Sequence, residues 1–170
     1  MTELADLEKR ILRLEEQARI VEDIEAIRAL KGAYAEACDL GYDPDAMAAL
    51  FTEDAVWEFT NSWGVHRGHA EIRKFMENVG QEILWALHYM IGPVITVHDE
   101  TTASGKWYIL ELATMTGVSD PAERDAVILS GTYADQYEKV DGVWKFKHVK
   151  VNIGQSSNLD QGWVRQQFRS

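Results

Sequence analysis

The second half of the chain is written almost wholly in strand-forming sequence, and this limits what the first half can build. Four long stretches, roughly 84–98, 102–117, 124–139 and 143–153, are rich in aromatic and β-branched residues. His98-Asp-Glu-Thr links the first two, and Val140-Asp-Gly is a hairpin signal between the last two. Helical periodicity comes before them rather than between them, which is an α+β order and not a βαβ one. A strongly curved antiparallel sheet with three helices laid into its concave side forms a cone, and such a cone can hold a small apolar ligand.

Residues 3–22 read as a helix with a heptad seam, since Leu4, Leu7, Ile11, Leu14, Ala18 and Val21 are spaced 3-4-3-4-3. Asp6 to Arg10 and Glu15 to Arg19 are spaced as i,i+4 ion pairs. Three heptads are marginal alone, so the seam should pack against another subunit or against its own domain. The stripe then changes phase to Ile24, Ile27, Leu30 and Tyr34, and the helix runs to about Leu40 with Gly41 as a C′ residue. Residues 1–22 are therefore an arm for oligomerisation, extending the long helix or meeting it at a kink near Val21–Ile24. Residues 23–170 are one domain. Asp45 is expected to cap a short helix through Leu50, Ala55–Thr60 to be a first strand, and Asn61–Gly68 a loop. His69–Val79 should be a third helix burying Ile72, Phe75, Met76 and Val79, and Gly162–Phe168 a short last one.

A formal net charge of −11 argues against nucleic acid or an anionic membrane as a partner. One cysteine, Cys38, excludes an internal disulfide and suits a reducing compartment. No apolar run approaches the roughly 20 residues of a membrane span, and no signal peptide is visible, so a cytoplasmic protein is expected.

Few polar residues can reach the interior. His88 shares a strand face with Ala86 and Met90. Tyr34 lies on the buried helical stripe. Asp39 faces inward only if the helix ends there, and otherwise it is a solvated carboxylate poorly placed for the helix dipole. Glu111 shares a face with Trp107, Ile109, Ala113 and Met115, which is either the cone interior or a subunit contact. His66-x-x-His69 has metal-ligand spacing but no third ligand, so a surface pair is expected, with no metal. Lys145, Lys147 and Lys150 read as a solvated face, and Cys38 as a core residue.

Ile24-Glu-Ala-Ile-Arg-Ala-Leu-Lys-Gly-Ala-Tyr34, Asp39, Phe51-Thr-Glu-Asp-Ala-Val-Trp57, Leu87-His88, Asp99–Tyr108 and Tyr137–Phe146 together resemble a SnoaL-like domain. The resemblance covers about residues 20–153. It points to the branch of scytalone dehydratase, bile acid dehydratase and hexachlorocyclohexane dehydrochlorinase, in the superfamily of ketosteroid isomerase and nuclear transport factor 2. The resemblance extends to the bile acid dehydratase, including its heptad-like N-terminal segment. The resemblance implies the cystatin-like α+β barrel, a homo-oligomer (commonly a trimer, with a dimer as the alternative) and elimination chemistry without a cofactor. It implies His88 and Asp39 as the proton-transfer pair, Tyr34 as the family tyrosine, and Glu111 in the place of a pocket aspartate. A last-strand arginine of the family has no counterpart, and the nearest polar residues are Lys150 and Asn152. Trp57, Phe59, Met90, Trp107 and Met115 are the expected apolar walls around a small cyclic substrate, with Asn152 beside them. The function expected is a dehydratase-type lyase acting on an apolar cyclic hydroxy or keto compound. The alternatives are an isomerase or polyketide cyclase using the same pair, and a non-catalytic ligand-binding or scaffold protein.

Overall fold

The computed structural model describes residues 2–60 and 63–169, so Asn61 and Ser62 of the expected loop lie outside the described residues. The elements are α1 (Thr2–Asp39), α2 (Pro44–Ala49), β1 (Phe51–Phe59), β2 (Gly64–Arg67), α3 (Gly68–Glu82), β3 (Ile83–Val97), β4 (Thr102–Thr116), β5 (Arg124–Val140), β6 (Val143–Asn158) and α4 (Gly162–Arg165). The strands form one curved, unclosed sheet in the order β2-β1-β6-β5-β4-β3. Every pairing is antiparallel except β1 with β6, which is parallel, so the sheet is mixed.

Period-two burial is cleanest on β4, where every second residue from Ala103 to Met115 is buried. The concave face these residues define is covered by α1 and α3. Curvature is introduced at register breaks. One lies at Gly131 on β5, where an added Cβ would come 2.3 Å from the Asn152 carbonyl oxygen. Another lies between Ile91 and Val94 on β3, where Gly92-Pro93 is tolerated because β3 is an edge strand.

α1 is a single helix of 38 residues, extending straight through the phase change at Val21–Ile24 without a break in its assignment. Ile27, Leu30 and Tyr34 are buried, whereas residues 3–18 are exposed along their whole length. The expected Asp6–Arg10 and Glu15–Arg19 pairs are not formed. Arg19 binds Glu16 and Asp23 instead, because Asp23 is a buried carboxylate that also binds Lys139 and the Trp144 indole. Asp43, not Asp45, caps α2, accepting from the backbone of Asp45 and Ala46 and leaving Pro44 at the first helical position, where its missing N–H costs nothing. Residues 64–67, expected as loop, pair with Val56–Phe59 as a short edge strand. α3 buries Ile72, Phe75, Met76 and Val79, and Glu71 bonds back to the Arg67 N–H at its start. Among the described residues, no helix is long and apolar enough to cross a membrane.

Among the described residues, one Lys–Asp ion pair is fully buried in the core. Lys31 Nζ on α1 donates to Asp135 Oδ2 on β5 at 2.9 Å and lies over the Tyr133 ring. Asp135 also accepts from Tyr137, whose oxygen accepts from the Trp107 indole. Burial pushes Lys31 down and Asp135 up from their ordinary pKa values, each against the attraction of the other. Breaking such a pair from one side leaves a buried charge unmatched. Asp135→Ala should therefore cost about 3–5 kcal/mol in urea denaturation, and Lys31→Met with Asp135→Leu should cost much less than Asp135→Ala alone.

Candidate active site

The end of α1 builds the site. Gly41, at φ +98°, is in the left-handed region, and the Tyr42 N–H bonds to Ala37 O while the Gly41 N–H bonds to Cys38 O. This is a Schellman closure, and it ends the helix at Asp39. Tyr42 follows with φ +60°, uncommon for a residue with a side chain, and is buried. Gly80 on α3 lets this turn pack closely, since a Cβ there would lie 3.1 Å from Gly41 O.

β3 is one edge of the sheet, and the helix end docks on it. Asp39 Oδ1 accepts both the His88 backbone N–H, at 2.9 Å, and His88 Nδ1, at 2.7 Å. A proton on Nδ1 leaves Nε2 as the working nitrogen. Nε2 lies 3.3 Å from Tyr42 Oη and 3.4 Å from Glu111 Oε2. Glu111 stands directly across the ladder from His88, on the same concave face. Its side chain is 5% exposed, and its Oε1 is buried without a hydrogen-bond partner. Burial pushes its pKa up, the nearby imidazole pulls it down, and Asp39 adds to the rise. Burial likewise holds the phenols of Tyr34, Tyr42 and Tyr133 and the Cys38 thiol in their protonated forms.

These groups line a narrow inner chamber of about 30 Å³ with Trp57 and Tyr133. That is room for about one water molecule. A wider cavity of about 680 Å³ adjoins it, within the size range of small-molecule sites. Five side chains, Phe59, Trp63, Ile83, Leu129 and Ile153, line both spaces. The wide cavity does not reach His88, so it serves as the vestibule and the chamber holds the polar groups. The mouth is formed by Thr116–Val118 together with Phe168 and Arg169 of the C-terminal tail, which bonds alongside Ser156. Arg169 is fixed there by Asp125 and the Thr116 carbonyl.

The structure thus brings Asp39, His88 and Glu111 together, with Trp57 and Tyr34 on the chamber wall and Phe59 and Met115 on the vestibule wall. Tyr34, expected beside the imidazole, does not face Nε2. Its oxygen accepts from the Trp57 indole at 3.0 Å, and Tyr42 occupies the place beside the imidazole. Trp107 faces Tyr137 rather than either cavity, and Met90 is only half-buried, farther along β3. Asn152 is exposed on the opposite face and accepts from Thr60, because Val149, Val151 and Ile153 take the inward positions of β6. The histidines at 66 and 69 are not a surface loop pair: both are half-buried, and each bonds a backbone carbonyl, of Trp63 and Phe51. Among the described residues, no three His, Cys, Asp or Glu side chains converge as a metal site.

The chain belongs to the SnoaL-like domain family, which matches residues 19–150. A Novosphingobium aromaticivorans protein provisionally named a scytalone dehydratase is similar, at 27% identity over 84% of this chain and 91% of its own, with a TM-score of 0.74. A second protein of that organism, provisionally named an aromatic ring hydroxylase, is 29% identical over 81% of this chain and 94% of its own, with a TM-score of 0.73. The hexachlorocyclohexane dehydrochlorinase LinA-type3 of Novosphingobium barchaimii shares the fold, with a TM-score of 0.73 at 19% identity over 84% and 94% of the two chains.

The raised pKa of Glu111 has a sign that stability reports. A carboxyl whose folded pKa lies above its unfolded value of 4.5 binds its proton more tightly in the native state. Its contribution to folding is then lost as pH rises from the unfolded value through the folded one. Glu111→Gln should match the parent in urea denaturation near pH 4 and exceed it at pH 8.

Proposed function

We propose that the protein is a cofactor-independent lyase that eliminates water from a small apolar cyclic hydroxy compound, with or without a ring ketone. The observation that supports this best is the His88 ring, bonded through Nδ1 to Asp39 and facing the narrow inner chamber through Nε2. His88 Nε2 removes a proton from carbon, and the electron pair of that C–H bond becomes the new double bond. The C–O bond breaks, and Glu111, whose protonated form burial favours, gives its proton to the departing hydroxyl, which leaves as water. Transfer from the imidazolium to Glu111, across the 3.4 Å gap, restores both groups. Asp39 holds the tautomer and balances the imidazolium charge. Tyr42 donates to oxygen that gains negative charge beside Nε2.

The substrate's body fills the vestibule, and its reacting edge parts Phe59 and Trp63 to enter the chamber. The aromatic and aliphatic walls suit a ring system, and among the described residues no Lys or Arg lines the chamber, which suits a neutral reacting group. The acting form is a homo-oligomer, with a trimer favoured. In support, Trp85, Leu87, Tyr89 and Ile91 leave the outer face of β3 broadly exposed and apolar. A non-catalytic ligand-binding role is the second reading, favoured by the small size of the inner chamber.

The test is a screen of cyclic hydroxy ketones for a new ultraviolet-absorbing conjugated product. On a substrate so found, His88→Ala should lose roughly 10²–10⁴-fold in turnover. Asp39→Asn should fall in the same direction while the protein stays folded, and ligand affinity should change less than turnover in both. Tyr42→Phe should cost about 1–3 kcal/mol in kcat/KM. Full activity in His88→Ala would overturn the mechanism and leave the binding-protein reading.

A further inference from the structure

Residues 3–18 of α1 leave the domain altogether, every one of them exposed. At about 1.5 Å per residue this is an arm about 25 Å long. Of its large apolar residues, all but Leu12, which is 65% exposed on another face, fall into one line. Leu4, Leu7, Ile11 and Leu14 are 66, 48, 53 and 61% exposed and lie on one seam, which continues through Ala18 and Val21. A solvated helix of this length is marginal alone, and a repeat of about 3.5 residues belongs to a helix wound on another of its own kind.

The flanking charges select both partner and direction. With Leu4 at a and Leu7 at d, Glu8, Glu15 and Glu22 occupy e, and Glu3, Arg10 and Gln17 occupy g. In an antiparallel pair, e faces e and g faces g. Glu8 would then meet Glu22, Glu15 would meet its own copy, and Arg10 would meet Arg10. In a parallel pair, g faces e of the following heptad. Arg10 then meets Glu15 of the second copy, Gln17 meets Glu22, and only Glu3 against Glu8 is repulsive. Neither Arg10 nor Glu15 has an ion-pair partner within the chain among the described residues.

We infer that the arms of separate copies of this chain wind into a parallel, in-register coiled coil on the seam Leu4–Leu7–Ile11–Leu14. The position of the arm agrees with this. It leaves beside the ends of β5 and β6, where Asp23 binds Lys139 and Trp144. The vestibule mouth, at Thr116–Val118 and Arg169, belongs to the other end of the sheet. Copies joined through their arms keep their mouths open. The inference is independent of the reaction proposed above.

The experiment is oxidative cross-linking of the full chain carrying Leu7→Cys. The native Cys38 is buried and inert to this treatment, and the unsubstituted chain is the control. In a parallel, in-register coil each d position faces its own copy, so a disulfide-linked dimer should form rapidly at micromolar protein. Adding Arg10→Glu should slow the reaction roughly tenfold, since two attractive contacts become repulsive, and Arg10→Glu with Glu15→Arg should restore it. Because the arm is exposed, circular dichroism should stay unchanged within the domain. No cross-link above the control overturns the parallel, in-register coil, as an antiparallel pair keeps the two Leu7 positions apart. A rate indifferent to the charge reversal overturns the parallel register.

Discussion

The arrangement of the interior depends on one carboxylate oxygen meeting one strand edge. β3 ends the sheet, so its outer backbone groups have no neighbouring strand, a condition that invites unwanted pairing. Asp39 answers part of that need by accepting the His88 N–H, and with the same oxygen it accepts from the His88 ring. Fixing the backbone and fixing the imidazole are one event. The Schellman closure at Gly41 makes it possible, because a helix that ran one turn further would carry the chain past the edge. The same closure turns Tyr42 back toward His88, and the missing Cβ at Gly80 gives that turn room. A helix stop, an edge strand and a glycine on a third element thus converge on one ring nitrogen.

Two buried carboxylates show how differently one interior treats the same group. Asp135 has Lys31 and Tyr137 both donating to its Oδ2, a charge partner and a phenol, although its Oδ1, like Glu111 Oε1, is buried without a hydrogen-bond partner. Glu111 has only the edge of His88, and one of its oxygens has no partner at all. The first arrangement fixes α1 against the sheet. The second stores an unmet hydrogen-bonding demand beside the ring, which a bound oxygen or a water can meet.

Much of this was legible in the sequence because the periodicities are long. Four strands of about fifteen residues each declare their inward set by alternation, and that alternation alone put His88 and Glu111 on apolar faces. Gly41 marked the end of the long helix, and so gave Asp39 its chance to face inward. The same parity argument should have turned Asn152 outward, since Val149, Val151 and Ile153 claim the buried positions of β6. Tyr42 was not legible, for no local signal announces a second positive φ directly after the glycine. Nor was β2, whose four residues are too few and too polar to show a period. Trp107 lay on the right face but too far along it, where its indole completes the Asp135 network instead of a cavity wall. Positions along a strand are set by register, and register between β4 and β5 is a tertiary quantity.

The single parallel pairing in the sheet carries a consequence for how the chain reaches this state. β3 to β6 pair with near neighbours in sequence and can zip up hairpin by hairpin. β1 cannot join until β6 exists, because their contacts, such as Thr60 with Val151, span 91 residues. Closing so long a loop is entropically costly and is repaid only once the pairing forms, so the step belongs late on the folding route. Until it happens β6 has a bare edge, and the chamber lacks Trp57 and Phe59. The pocket is therefore incomplete until the strand nearest the N-terminus has met the strand nearest the C-terminus.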